Sequence, residues 1–111
     1  MNPEALLLVD LQNDFLPGGA LAVPAGDQLV PLANVLMPRF PLVVATQDCH
    51  PADHESFAAN HPGKNPGDLI DLHGLPQILW PVHCVAGTPG ADFAVALDRT
   101  RLAHTVRKGA D

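Results

Sequence analysis

The chain has 111 residues and a mass of 11.7 kDa, is 47% hydrophobic but only 5% aromatic, and carries 12 acidic against 6 basic residues for a net charge of −6. That length holds one modest core, so residues 1–111 are expected to form a single domain, and an acidic chain with scattered Lys and Arg lacks the basic face that nucleic-acid binding needs. The longest apolar runs, Ala5–Val9 and Pro41–Thr46, fall far short of the roughly 20 residues of a membrane span, no signal-like pattern opens the chain, and Cys49 and Cys84 form no CxxC pair; a cytoplasmic protein with reduced thiols is expected, with neither nucleic acid nor membrane as partner.

Ala5–Val9, bounded by Pro3 and the polar stretch Asp10–Asp14, predicts a strand buried on both faces of a parallel sheet. Phe15–Pro24 contains Pro17-Gly18-Gly19 and reads as a loop. Asp27–Met37 places Leu29, Val30, Ala33, Val35, Leu36 and Met37 near helical spacing. It predicts a helix with Asp27 as N-cap, Pro31 in its first turn and Pro38 at its exit. Pro41–Thr46 predicts a second strand, which makes the first half one βαβ unit with a right-handed crossover. Gln47–Thr88 has little periodicity and many prolines, glycines and histidines. Its apolar anchors Phe57, Ile70, Leu72, Leu75, Ile78, Leu79 and Trp80 favour an ordered, functional loop. Pro89–Leu97 predicts a short helix, and Ala103–Lys108 alternates as a third strand. The expected class is α/β: an open parallel sheet with flanking helices, Rossmann-like in its three α/β/α layers. It reads as incomplete, because three parallel strands leave two long edges and the chain stops directly after the third. Either the protein is truncated or another chain completes the sheet.

Open α/β sheets bind ligands beyond the carboxyl ends of their strands. Asp10 follows the first predicted strand, Asp48 and His50 follow the second, and Lys108 ends the third, so a parallel sheet gathers all four on one rim. Asp48-Cys49-His50-Pro51-Ala52-Asp53-His54 offers oxygen and nitrogen ligands at close spacing, and His83 can return from the far end of the long loop. Such a mixed set suits zinc, iron or manganese and leaves coordination positions open. Spacing alone leaves the ordinary alternatives standing: Asp10 as a turn cap, Lys108 as a solvated strand end, Asp and His as loop polarity. Phe15 and Trp80 are core aromatics or flat pocket walls. His61, His73, His104 and both cysteines are read as structural.

Four blocks then combine. Val9-Asp10-Leu11-Gln12-Asn13-Asp14-Phe15 with Pro17-Gly18-Gly19, Ala45-Thr46-Gln47-Asp48-Cys49-His50-Pro51 with His54, Ser56 and Phe57, Trp80-Pro81-Val82-His83-Cys84-Val85 with Gly87-Thr88, and Arg107-Lys108-Gly109 stand in order from about Ala5 to Gly109. Together they resemble the nicotinamidase/pyrazinamidase family of the isochorismatase-like cysteine hydrolases. The resemblance implies hydrolysis of nicotinamide, and of pyrazinamide, to the acid and ammonia through a cysteine acyl-enzyme, a step in pyridine-nucleotide (NAD) salvage. It implies that Asp10 is the general base and that Lys108 favours the thiolate. Asp48, His50 and His83 match the metal ligands, with His54 as an additional one in some members, and zinc is the first choice of ion. The metal is implied to hold the pyridine nitrogen, while Phe15 and Trp80 sandwich the ring.

One departure accompanies the resemblance. The family's nucleophilic cysteine lies beyond the lysine, on a segment these 111 residues do not include, and neither Cys49 nor Cys84 matches it. The isolated chain is therefore expected to bind metal more readily than it turns over substrate. Two other readings follow from the same residues. One is another isochorismatase-like amidohydrolase, although those branches generally lack the metal block. The other is a non-catalytic metal-binding or interaction module whose exposed sheet edge pairs with another chain. A homo-oligomer or a complementing C-terminal half is the corresponding partner.

Overall fold

The structure is a computed structural model and describes residues 4–111. Ala5–Val9 forms β1, Leu42–Asp48 forms β2 and His104–Lys108 forms β5, and the three pair in parallel in the order β1-β2-β5. All three strands follow the predicted runs, but β2 continues two residues beyond Thr46. The extension is paired: Gln47 and Asp48 lie opposite Arg107 and Lys108 of β5, after the last β1 pairing at Val9 and Thr46.

One face of the sheet carries the core. Leu8, Val43 and Ala45 pack with Val30, Ala33 and Met37, and Leu11, Phe93, Ala94 and Leu97 complete the cluster. The helix Leu29–Leu36, α1, lies where periodicity places it, and Pro31 stands in its first turn. Asp27 does not cap it. The chain enters through Ala25 at φ 58 and a 3-10 turn over Gly26–Gln28, and no side chain caps the start. Packing sets that entry: Gly26 sits where an added Cβ would meet the Phe15 carbonyl at 3.2 Å, so the turn begins one residue before Asp27. Pro38 does not end the helix either. A 3-10 turn, Met37–Arg39, continues it, with the proline among the first residues of that turn.

The segment Pro89–Leu97 is not a helix beyond a 3-10 turn at Pro89–Ala91. Its backbone groups pair instead with the loop after β1: Asn13 N–H donates to Asp92 C=O, Ala94 N–H donates to Leu11 C=O, and Gln12 and Phe93 form a bridge. Ala91, Phe93, Ala94 and Leu97 are still buried, but Val95 and Ala96 are exposed, and the chain closes in a turn at Ala94–Leu97. The long loop also holds regular structure. Leu69–Leu72 (β3) and Leu75–Ile78 (β4) form an antiparallel hairpin closed by His73-Gly74. Both turn residues have positive φ, 52° and 85°, as a primed two-residue hairpin turn requires. Of the anticipated anchors, Phe57 and Leu79 are fully buried, whereas Leu75 and Ile78 of the hairpin and Trp80 after it are exposed.

The opposite face of the sheet is bare. Leu7 and Val9 of β1 and Val106 of β5 expose 59%, 59% and 52% of their surface. Parallel sheets bury both faces, so this apolar surface has the composition of an interior. Among the described residues no helix is long and apolar enough to cross a membrane.

Met37, only 1% exposed at the centre of the single covered face, sets the scale of core stability. Met37→Ala is expected to cost about 2–5 kcal/mol, read as a lower urea midpoint at unchanged m-value.

Candidate active site and metal centre

Parallel pairing brings three charged side chains to the carboxyl rim. Lys108 is the register partner of Asp48, and β1 delivers Asp10 immediately after Val9. Lys108 Nζ lies 2.9 Å from Asp10 Oδ2 and 3.6 Å from Asp48 Oδ1, so one ammonium bridges two carboxylates. Burial pulls the Lys108 pKa down, but the hydrogen bond to Asp10 and the charges of Asp10 and Asp48 outweigh it and hold the group above the ordinary lysine value. Asp10 adopts φ 55, a left-handed conformation that aspartate tolerates better than most residues. Thr46 fixes it there: its hydroxyl donates to Asp10 Oδ1 at 2.7 Å and accepts from the Asp10 N–H at 3.2 Å.

Asp48, His50 and His83, all buried, form the one group among the described residues whose ligand atoms could share a metal ion, all within 4.8 Å of one another. His83 reaches the rim because residues 84–86 pair with His50. The His50 N–H donates to Cys84 C=O and the Ala86 N–H donates to His50 C=O, each at 2.8 Å. Fully buried Phe57 lies beneath the imidazoles, with ring centroids 5.4 Å from His50 and 5.5 Å from His83.

The hydrogen-bond pattern tests whether a cation fits. His50 Nδ1 is 2.7 Å from Gly109 C=O, and His83 Nδ1 is 2.8 Å from Pro81 C=O. A carbonyl only accepts, so both Nδ1 atoms carry the proton and a neutral ring presents its Nε2 lone pair. These Nε2 atoms stand 2.9 and 3.5 Å from the same oxygen, Asp48 Oδ2. Two nitrogen lone pairs and a carboxylate oxygen converging in a buried space form a donor set for a divalent cation, with outer-shell carbonyls that fix both tautomers.

His54 is not brought into this set. Its Nδ1 accepts from Ser56 and its Nε2 donates to Asp111 C=O at 2.7 Å, so both ring nitrogens are engaged while the ring packs on His50. Phe15 and Trp80 line one cleft of about 400 Å³ together with Asp48, His50, His54, Ser56, Gln77 and His83. Trp80 is 43% exposed, in keeping with a pocket wall rather than a core ring.

Cys84 is fully buried at φ 49, with its N–H donated to Asp14 Oδ2 at 2.7 Å. Burial, reinforced by the charges of Asp48, Asp14 and Asp10, pushes its thiol up to about 12, so it stays protonated at neutral pH. Cys49 is half-buried, and its sulfur hydrogen-bonds no base among the described residues. His61, His73 and His104 lie apart from the cluster; His73 pairs with Glu55 on the surface.

Four supporting residues had no predicted role: Thr46, Gln12, Asp14 and Gly109. Only Gly109 carried a readable signal, a glycine directly after the rim lysine. At φ +83, an added Cβ would lie 2.6 Å from both Asp48 Oδ1 and His50 Cε1.

No protein-family model matches the chain. It is 51% identical over 108 residues to the nicotinamidase of Acinetobacter baylyi, an alignment covering 97% of this chain and 50% of that protein. The solved nicotinamidase/pyrazinamidase of Acinetobacter baumanii superposes with a TM-score of 0.91 at 48% identity, covering 96% of this chain and 52% of that one. The yeast nicotinamidase bound to the inhibitor nicotinaldehyde gives 0.85 at 35% identity, covering 96% and 56%. The pyrazinamidase of Pyrococcus horikoshii in complex with zinc gives 0.73 at 39% identity, covering 99% and 54%. The chain spans about half the length of the curated relatives it matches. Over that span its fold is theirs, and the resemblance read from the four sequence blocks holds along nearly all of its length.

Two outcomes test the site. Gly109→Ala is expected to lower zinc affinity about 10- to 100-fold in chelator competition, because the new methyl displaces Asp48 and His50 together. A thiol reagent at neutral pH should label Cys49 alone in the native chain and both cysteines after unfolding, as intact mass reports.

Proposed function

We propose that this chain, similar over nearly its whole length to nicotinamidases, forms the metal-binding, ring-binding and proton-transfer part of an amidohydrolase that cleaves nicotinamide, and pyrazinamide, to the acid and ammonia. The observation that carries this reading is the convergence of the His50 and His83 Nε2 lone pairs on Asp48 Oδ2, in one cleft with Phe15 and Trp80 and beside the Asp10–Lys108 pair. That arrangement, with relatives named nicotinamidase, favours this reading over the metal-free amidohydrolases and over a non-catalytic module.

Asp48, His50 and His83 would hold the ion, with zinc first and iron or manganese also compatible with an O,N,N set. When bound, the metal supplies a Lewis acid that orients a heteroaromatic ring through its nitrogen. Phe15 and Trp80 flank the ring and exclude water from its faces. Asp10 receives a proton from an attacking thiol and returns it to the departing ammonia. Its two hydrogen bonds, from Lys108 and Thr46, hold the carboxylate in place for both transfers. The Lys108 ammonium favours the thiolate over the thiol.

Neither cysteine of this chain fits the nucleophile, one being buried and protonated and the other without a base. The attacking thiol is assigned to polypeptide outside these 111 residues, within the same single hydrolase domain. The whole enzyme then acts on a small aromatic amide in the reducing interior of the cell.

The isolated chain is expected to retain about one zinc per chain through dialysis and to release no ammonia from nicotinamide above background. A complete enzyme carrying Asp10→Asn should lose several orders of magnitude in kcat. Turnover by these 111 residues that survives Asp10→Asn but disappears with Cys49→Ala would contradict the assignment.

A further inference from the structure

We infer that Gln12 and Asp14 are positioning residues of the metal centre, Gln12 holding Asp48 and Asp14 holding the turn that presents His83. The inference rests on the metal reading of this site and adds to it what keeps the ligands in register.

Gln12 answers a topological mismatch. The pairing of β1 with β2 ends at Val9 and Thr46, yet β2 runs on to Asp48, so the backbone of Asp48 has no strand beside it on that side. The Gln12 amide takes the place of one. Its Oε1 accepts the Asp48 N–H at 2.9 Å, and its Nε2 donates to Asp48 C=O at 2.7 Å and to Ala91 C=O at 2.8 Å. The side chain is 0% exposed, and each of its polar atoms is spent. An apolar residue of the same size could fill the space but would leave both polar backbone groups of a ligand residue unpaired.

Asp14 serves the other end of the ligand set. His83 is followed by Cys84 at φ 49, a conformation that a residue with a Cβ holds only when its surroundings impose it. The Asp14 carboxylate imposes it: Oδ2 accepts the Cys84 N–H at 2.7 Å, while Oδ1 accepts the Ala20 N–H at 3.2 Å. Gly90 packs directly on that carboxylate, where a Cβ would come within 2.1 Å of Oδ2. Asp10, Gln12 and Asp14 are thus spaced by two along one loop, and each fixes a different component of the centre. Leu11 between them turns to the core.

Zinc alone, in competition with a chromophoric chelator, and the visible spectrum of the Co²⁺-loaded chain read ligand geometry independently of overall stability. Gln12→Leu and Asp14→Ala are each expected to weaken zinc binding about 10- to 100-fold and to shift the Co²⁺ bands. Asp14→Asn keeps an oxygen for the Cys84 N–H and should retain both the affinity and the bands. If Gln12→Leu does not fold, the isosteric Gln12→Glu, which loses the donor, is measured in its place with the same expectation. Variants whose metal-free forms melt lower but which bind zinc and show the wild-type Co²⁺ spectrum would overturn the inference and leave only a packing role. A wild-type chain that takes up no zinc would instead overturn the metal reading itself.

Discussion

A carboxylate buried to 8% exposure at the end of the central strand is the constraint around which the rest of the molecule is arranged. Asp48 cannot hold its charge there without partners, because removing an isolated anion from water costs far more than a small domain can supply. Its Oδ1 faces the Lys108 ammonium, and its Oδ2 meets the Nε2 lone pairs of His50 and His83 in a donor set that a divalent cation would complete. Each partner comes from a different stretch of chain: the neighbouring strand, the residue two positions on, and the far end of the long loop. The hairpin-bearing loop is ordered because its two ends must meet at this carboxylate.

The same constraint explains the charge pattern on the rim. Among the described residues Lys108 is the one ammonium bridging Asp10 and Asp48, and its proton is held more firmly than in water. Cys84 lies in the same negative surroundings, and its thiol is correspondingly reluctant to ionise. The site thus discriminates between sulfur atoms by placement. Under the proposed mechanism a thiol next to Lys108 would be favoured as the thiolate, whereas Cys84, surrounded by carboxylates, stays protonated.

The sequence carried the strands and the rim because these depend on local composition. Apolar runs ending in Asp10, Asp48 and Lys108 need only parallel pairing to become a site. The remainder depends on tertiary hydrogen bonding. Pro89–Leu97 has helical apolar spacing, but its backbone pairs with the loop after β1, a choice no local pattern encodes. The hairpin at 69–78 was legible in principle from His73-Gly74 between short alternating runs, but the surrounding prolines and glycines masked it. Asp27 resembled an N-cap and lost that role to the packing of Gly26. Gln12 and Asp14 look like ordinary loop polarity until the two-residue overhang of β2 and the backbone of Cys84 are visible.

Asp10, Gln12 and Asp14 stand within five residues of chain that pass through a left-handed Asp10 and a 3-10 turn over Asn13–Phe15. A change of residue there alters one contact, but a change of length by one carries Gln12 or Asp14 away from the backbone groups that each one holds. Insertions and deletions, usually tolerated in loops, are therefore excluded between Val9 and Phe15. This loop is thus constrained in length as well as in the identities of Asp10, Gln12 and Asp14.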